Sequence, residues 1–355
     1  MRQSPSTKRG GERREGKVRK PGILLGLFLT AASLSSARAD GVGDFYRGKT
    51  VTLIVGSSEG GSFDYFGRMA APILKRLIPG NPTVIVQNMP GASFVRSTEY
   101  LYNVAPKDGT MLLIAQPYIV LNKLINPQAK YKSEDFVWLG RVAPLSQVGF
   151  VMDTAGVRTF KEVLQKEVVI GAAGGSGPGM LVPTLLDRLL GAKLKIVRGY
   201  DSDSGLYIAV ERREIQGLGS TSYSEVKNRG WFASGKAFPL YTIGLTRIAD
   251  LPDIPTIPEL APEGPKRTIL TLFTNIPVIG YTIFGPPGLP QDRSEALRAS
   301  FATMMKDPEF LSGVQKLHVD LDPLSGTELQ ELVTRTARAP AAQVEALKQA
   351  LKPLE

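Results

Sequence analysis

Residues 50–64 read Thr50-Val51-Thr52-Leu53-Ile54-Val55-Gly56-Ser57-Ser58-Glu59-Gly60-Gly61-Ser62-Phe63-Asp64. The first six form a run of β-branched and aliphatic side chains, which predicts a strand buried on both faces. Phe63, Phe66, Ala70, Ile73, Leu74 and Leu77 then recur at helical spacing, so an amphipathic helix follows directly. The glycine-rich link turns the strand into a helix start whose free N–H groups point outward, and Ser62 is a candidate N-cap. Pro72 lies inside that helix and should kink or shorten it.

Working outward, the same rhythm returns. Apolar runs at Thr83–Val86, Thr110–Ala115, Val148–Met152, Val168–Gly171, Leu194–Val197 and Ile215–Leu218 read as strands alternating with helices, an α/β organisation with mostly parallel sheets. Thr159 with Glu162 and Ser325 with Glu328 have capping-box spacing, and Asp307 precedes a helix that opens on Pro308. Two proline-rich connectors, Leu251–Pro258 and Phe284–Pro290, read as loops that reset direction between lobes, the second leading into a helix that ends near Lys306. There is no internal repeat or low-complexity segment, and after residue 40 no apolar run reaches the roughly eighteen residues of a membrane span.

The first 39 residues read differently. A basic stretch (Lys8, Arg9, Arg13, Arg14, Lys17, Arg19, Lys20) precedes the apolar Ile23–Leu29 and the small-residue site Ala37-Arg38-Ala39, the order of a cleavable secretory signal. Cleavage after Ala39 would remove nine basic and two acidic side chains from a chain of 43 basic and 33 acidic ones. The mature part is then close to neutral, with no basic face for nucleic acid. The chain contains no cysteine, hence no disulfide, thiolate metal site or lipid-modified anchor, and its single histidine is His318. A soluble periplasmic monomer is expected.

A second glycine-rich strand-to-helix loop, Gly171-Ala172-Ala173-Gly174-Gly175-Ser176-Gly177-Pro178-Gly179, repeats the first with almost no side-chain bulk. In open α/β sheets ligands bind beyond the carboxyl ends of strands, and helix starts attract anions. On composition alone each loop serves equally well as a strand–helix corner. The phosphate-binding P-loop pattern fails because no lysine precedes Ser62, and Gly217-Leu218-Gly219 is only a fragment of a dinucleotide fingerprint. A serine hydrolase lacks a usable histidine, and the acids show no paired-carboxylate or metal-ligand spacing. No cofactor and no enzymatic activity are expected.

Taken in order, these loops resemble those of the TctC-type extracytoplasmic substrate-binding proteins of tripartite tricarboxylate transporters. The landmarks are Val51–Val55 with Gly60–Asp64 and Arg68, Val86–Ala92, Pro106–Thr110, Gly171–Gly177, Gly199-Tyr200, Leu251–Thr256, Phe284–Pro290 and Lys306–Phe310. The resemblance implies a type II periplasmic-binding fold, two α/β lobes with a ligand cleft between them: lobe one at residues 40–144 plus 281–355, lobe two at 145–280. It also implies that a small organic acid is held by backbone amides at the two helix starts. The implied ligand-binding residues are Ser57, Gly61, Ser62, Phe63 and Asp64 on the first loop, Ser93 and Gln116 beyond the next strands, and Gly175, Ser176, Gly177 and Tyr200 on the second lobe. Gly177-Pro178-Gly179-Met180 and Ser57-Ser58-Glu59 depart from the family's usual residues at those places. The implied role is delivery of a mono- or dicarboxylate to membrane permease subunits. The alternative is a ligand-sensing protein of the same fold that docks on a membrane sensor.

Overall fold

The computed structural model describes residues 41–173, 177–200, 203–316, 319 and 321–352. The expected export signal, Gly175, Ser176, Asp201 and His318 lie outside the described residues.

A short helix, α1 (41–46), precedes β1 (Thr50–Val55). Then come α2 (Ser62–Leu77), β2 (Thr83–Asn88), α3 (Val95–Asn103), β3 (Met111–Ile114), α4 (Tyr118–Ile125) and β4 (Val137–Arg141). The chain crosses to β5 (Gln147–Met152) and continues through α5 (Phe160–Val163), β6 (Val168–Ala173), α6 (Pro178–Leu190), β7 (Leu194–Tyr200), α7 (Asp203–Glu211), β8 (Gly217–Ser222), α8 (Tyr223–Asn228), β9 (Ala237–Ile243) and α9 (Pro265–Thr274). It returns at β10 (Thr282–Gly285) and closes with α10 (Gln291–Met304), α11 (Pro308–Lys316), β11 (Leu324–Ser325), α12 (Gly326–Ala337) and α13 (Ala341–Leu351).

Two sheets result, ordered β11-β4-β10-β3-β1-β2 and β7-β6-β8-β5-β9. Strand β1 shows why the first is buried on both faces: Val51, Leu53 and Val55 enter one core cluster and Ile54 the other. In the second sheet Val168 and Ile170 of β6 feed one core, while Val169 and Ala173 pack against another. Both sheets are mixed, which corrects the mostly parallel expectation. Only β1 with β2 and β3, and β6 with β7 and β8, pair in parallel; β4, β5, β9, β10 and β11 pair antiparallel. Apart from the β11–β4 pair, every antiparallel pair involves β5 or β10, the two strands that arrive from the other sheet and enter running the opposite way. The stretch 251–258 also differs from its reading, since it lies between β9 and α9 of the second sheet and not at a crossing.

The crossovers are tied together. Tyr281 N donates to Ala143 O at 2.9 Å, Val142 N to Tyr281 O at 2.8 Å and Leu145 N to Pro277 O at 2.9 Å. Gly280 has φ +75°, and a Cβ there would collide with the Ala143 carbonyl, so only glycine lets the strands run this close. Arg141, buried at the end of β4, donates to Val278 O at 2.6 Å and to Asp322 O at 2.8 Å, fastening three segments at one point.

One helix serves both sheets, and another changes sides. In α4, Tyr118 and Leu121 join a core of the second sheet while Ile119 and Val120 join one of the first. Helix α13 follows α12, which lies on the first sheet, yet it packs on α6, α9 and α4, and its Leu347 is buried in the second sheet's core. Helix α2 runs unbroken through Pro72. The capping boxes of α5 and α12 and the Asp307 cap, with bonds from Glu309 N and Phe310 N at 3.0 and 3.2 Å, form as the sequence indicates.

Candidate functional site

The strand ends of both sheets open onto a cavity of about 390 Å³, lined by the loops 56–63, 90–94 and 177–179, by the ends of β6, β7 and β8, and by the crossovers. That volume suits a small metabolite.

The first wall is built around α2. Gly61 occupies the N-cap position with extended backbone, φ −89° and ψ 170°, and no side chain caps the helix. Ser62 is therefore the first helical residue and not the cap the sequence suggested, because glycine already supplies the required backbone. The first intrahelical bond is Tyr65 N to Gly61 O at 2.9 Å, which leaves the amides of Ser62, Phe63 and Asp64 without intrahelical acceptors. Ser62 lines the cavity beside Tyr281, whose hydroxyl interacts with the side chains of Ser62 and Ser222 from opposite walls. Burial pushes the Tyr281 hydroxyl's pKa up against those two interactions, so it stays a neutral donor and acceptor.

Asp64 takes a different place from the one expected. It is 3 % exposed, does not line the cavity, and braces the loop from behind. Its carboxylate accepts from Gly60 N at 2.9 Å, Arg68 Nε at 3.0 Å and Asn88 Nδ2 at 2.9 Å, while Asn88 Nδ2 also reaches Ser57 O at 3.0 Å. Burial alone would raise its pKa, but the bonds from Arg68, Gly60 and Asn88 outweigh it and hold the carboxyl below the ordinary range.

The loop after β2 carries stored strain. Ala92, Ser93 and Phe94, none of them glycine, have φ of 47°, 51° and 72° in succession, each costing on the order of 1–3 kcal/mol. Gln116 Nε2 donates to Ser93 O at 3.0 Å, and Ser97 and Thr98 hydroxyls donate to Phe94 O at 2.9 and 2.8 Å. Those bonds hold the run, so that Phe94 meets Phe63 edge-to-face with centroids 5.1 Å apart and Phe63 in turn meets Tyr281 at 5.1 Å. The three rings form an apolar side to an otherwise polar cleft.

The second wall belongs to the other sheet. Gly177 is the N-cap of α6, and Pro178 follows at the first helical position, so Gly179 offers the next free amide. A Cβ on Gly177 would stand 3.3 Å from Ser93 Oγ: the walls come within contact of each other here, and glycine makes room. Tyr200 ends β7, Asp203 and Ser204 open α7, and Ser220, Thr221 and Ser222 end β8. The Ser57 and Ser220 hydroxyls, one on each wall, have no hydrogen-bond partner among the described residues.

Of the residues singled out from sequence, Ser57, Gly61, Ser62, Phe63, Ser93, Gln116, Gly177 and Tyr200 line this one cavity. Gly175 and Ser176 lie outside the described residues. Sequence reading missed Ser146, Gln147, Asp203, Ser204, Ser220, Thr221, Ser222 and Tyr281, which also line it. Two had a local signal: Asp203-Ser204-Gly205 and Gly219-Ser220-Thr221-Ser222 are polar, small-residue runs at strand–helix corners. Among the described residues no group of three His, Cys, Asp or Glu side chains could hold a metal.

No protein-family model matches the chain, and no curated protein matches it. Solved structures do. The periplasmic binding protein BugD superposes with a TM-score of 0.68 at 20% identity, covering 86% of this chain and 98% of that one. An R. palustris protein solved with adipate gives 0.66 at 19% identity over 85% and 97% of the two chains. A TctC solute-binding protein from Polaromonas gives 0.59 at 18% identity over 85% and 99%. At such identities the likeness is one of fold, and it agrees with the resemblance carried by the sequence loops. The chain therefore has the two-lobed α/β fold of periplasmic binding proteins of the TctC and BugD kind.

Proposed function

We propose that this protein is a periplasmic solute-binding protein, exported through residues 1–39, that captures a small organic acid and delivers it to a membrane permease of the tripartite tricarboxylate type. The observation that carries this reading is the cavity between the two sheets, into which α2 and α6 both start. Helix starts present N–H groups and positive potential to a carboxylate without any bound arginine. The chemistry of the lining fits capture and not turnover. It holds hydroxyls, amides and three aromatic rings, and no histidine, lysine or cysteine among the described lining residues. That the R. palustris relative was solved with adipate supports the same class of ligand.

In this reading Ser57, Gly61, Ser62, Ser93, Gln116, Gly177 and Tyr200 contact the ligand, and Asp64 holds the first loop in shape for them. The lobes divide near Pro144 and near Tyr281, with the crossovers between as the hinge, and α13 rides on the second lobe.

A thermal-denaturation screen of the purified protein tests it. Adipate, malate and shorter mono- and dicarboxylates should raise the midpoint by mass action, whereas sugars should not. Shifts confined to uncharged or purely cationic compounds would overturn the carboxylate assignment.

A further inference from the structure

Where the chain leaves the first sheet for the second, one buried side chain at the cavity has a hydrogen-bond donor unused. Gln147 opens β5, lines the cavity and is only 8 % exposed. Its Oε1 accepts from the Tyr118 hydroxyl at 2.7 Å, while its Nε2 has no acceptor among the described residues. The polar side-chain atoms that are sealed off without a partner are the hydroxyls of Ser57, Ser133, Ser220 and Thr282. Gln147 Nε2 is not among them, so the small accessible part of this residue includes its nitrogen, and that part lies at the cavity.

Which end of the carboxamide faces the cavity follows from the chemistry of Tyr118. That residue is fully buried, and burial pushes its hydroxyl's pKa well up, so the hydroxyl stays protonated and needs an acceptor. Gln147 Oε1 is the acceptor it has. Turning the amide over would leave a buried hydroxyl proton unmatched, with the full penalty of its lost hydration. The oxygen therefore faces Tyr118 and the nitrogen faces the cavity. Gln116, equally buried in the same lining, turns its own Nε2 to Ser93 O at 3.0 Å. A glutamine that served only to satisfy Tyr118 would need no more than its oxygen, whereas buried amide nitrogens are ordinarily bonded.

We infer that Gln147 is a specificity-determining residue of this cleft, its amide donating to a carboxylate oxygen of the ligand, and that Tyr118, which does not line the cavity, is the positioning residue that keeps the donor aimed. This rests on the carboxylate reading above and deepens it. The described lining contains no cation, so a carboxylate that reaches past the helix starts must be met by neutral donors. Bonds from such donors to a charged acceptor are stronger than those between neutral groups. Gln147 stands opposite Ser222 in the pairing of β5 with β8, and Ser146 and Ser222 line the cavity beside it. Their hydroxyls supply further donors on the same side.

Calorimetric titration with adipate, malate and succinate tests the inference. Replacing Gln147 alone would strand the Tyr118 proton, so the main variant combines Tyr118→Phe with Gln147→Met, which removes both partners of the buried bond and nearly keeps their shape. It should melt within a few degrees of the unaltered protein and bind at least tenfold more weakly every acid that the unaltered protein binds. Tyr118→Phe alone leaves the amide in place but free to turn, and should weaken binding by about threefold. Gln147→Glu still accepts from Tyr118 but presents a carboxylate to the cavity, and should abolish binding. In heteronuclear NMR of the unaltered protein, the side-chain amide resonances of Gln147, assigned by their loss in Gln147→Glu, should shift as a bound acid saturates. Full affinity in the folded double variant, or amide resonances that stay in place at saturation, would overturn the inference and leave the carboxylate reading standing. If none of the three acids binds the unaltered protein, both fall.

Discussion

The two walls of the cleft begin with the same device, a strand running through glycines into a helix, and are finished in opposite ways. On the first wall a carboxylate has been turned inward and saturated: Asp64 collects Gly60 N, Arg68 and Asn88, and Asn88 ties the Ser57 carbonyl to the same point. On the second a carboxylate, Asp203, lies exposed to solvent where it lines the cavity. The same residue type thus braces one loop and lies solvent-exposed on the other. A helix-start loop needs rigidity to present its amides, and the first wall obtains it from the bonds gathered by the buried Asp64. The second obtains its shape from steric economy, with Gly177 against Ser93 and Pro178 fixing the start of α6.

The sharpest way to break this contrast is to delete each acid. Asp64→Ala removes the carboxylate that gathers Gly60, Asn88 and the half-exposed Arg68, donors that water can partly satisfy, and should cost roughly 1–2 kcal/mol in urea unfolding and abolish ligand-induced thermal shifts. Asp203→Asn should cost nothing. The pH dependence separates them further. Asp64, with its pKa held below the ordinary value of about 3.9, contributes stability that is present above that value and lost as pH falls through the folded-state pKa. Asp203, exposed to solvent, keeps its hydration in the folded state and adds little pH dependence. The unaltered protein should therefore lose its advantage over Asp64→Ala on acidification, while its difference from Asp203→Asn stays small over the same range. Parallel profiles for the two variants would erase the distinction between the walls.

A smaller perturbation of stability, with a full effect on binding, is expected at the point where the walls meet. Gly177→Leu places a side chain against Ser93 when the cleft is closed, but the cavity itself can take that side chain when the lobes part. The variant should melt within a degree or two of the unaltered protein and show no ligand-induced shift. In solution scattering its radius of gyration should stay that of the open form at ligand concentrations that compact the unaltered protein. Undiminished affinity in a folded Gly177→Leu would mean the ligand does not need contact from both walls.

How much of this could be read beforehand follows the range of the interactions. The strand β1, the glycine loop and α2 were legible because buried strands and amphipathic helices write their period locally, and so were the capping boxes at Thr159 and Ser325. Strands β4 and β9 were not singled out, because their pairing depends on where the chain crosses between sheets. The role of Asp64 was misread for the same reason: Asn88 lies 24 residues away, and only the parallel pairing of β1 with β2 brings it close, Val55 standing opposite Asn88. Asp203 escaped notice because a lone acid at a helix start has an ordinary structural explanation. The placement of α13 on α6 and α9 after an α12 that belongs to the first sheet has no sequence signature short of the fold itself.

The smallest expected effects ask whether the two walls belong to one cooperative unit. Thr159 caps α5 on the second sheet and Ser325 caps α12 on the first, each in a complete capping box. Replacing either by alanine should cost about 1 kcal/mol and lower the midpoint by about 2 °C in a chain of this size. If the lobes melted separately, calorimetry would give two transitions and each substitution would move only its own. The packing argues otherwise. Helix α4 gives Tyr118 and Leu121 to one core and Ile119 and Val120 to the other, Tyr118 Oη donates to Gln147 Oε1 at 2.7 Å in a buried bond across the two sheets, and α13, which follows α12 of the first sheet, packs on α6 and α9 of the second. Unfolding one sheet would strip α4 of half its burial and leave the Tyr118 and Gln147 side chains without their bond, a cost the remaining sheet would have to bear. One transition, lowered equally by Thr159→Ala and Ser325→Ala, is therefore expected, and two separately moved transitions would show that the hinge is thermodynamically weaker than these shared helices imply.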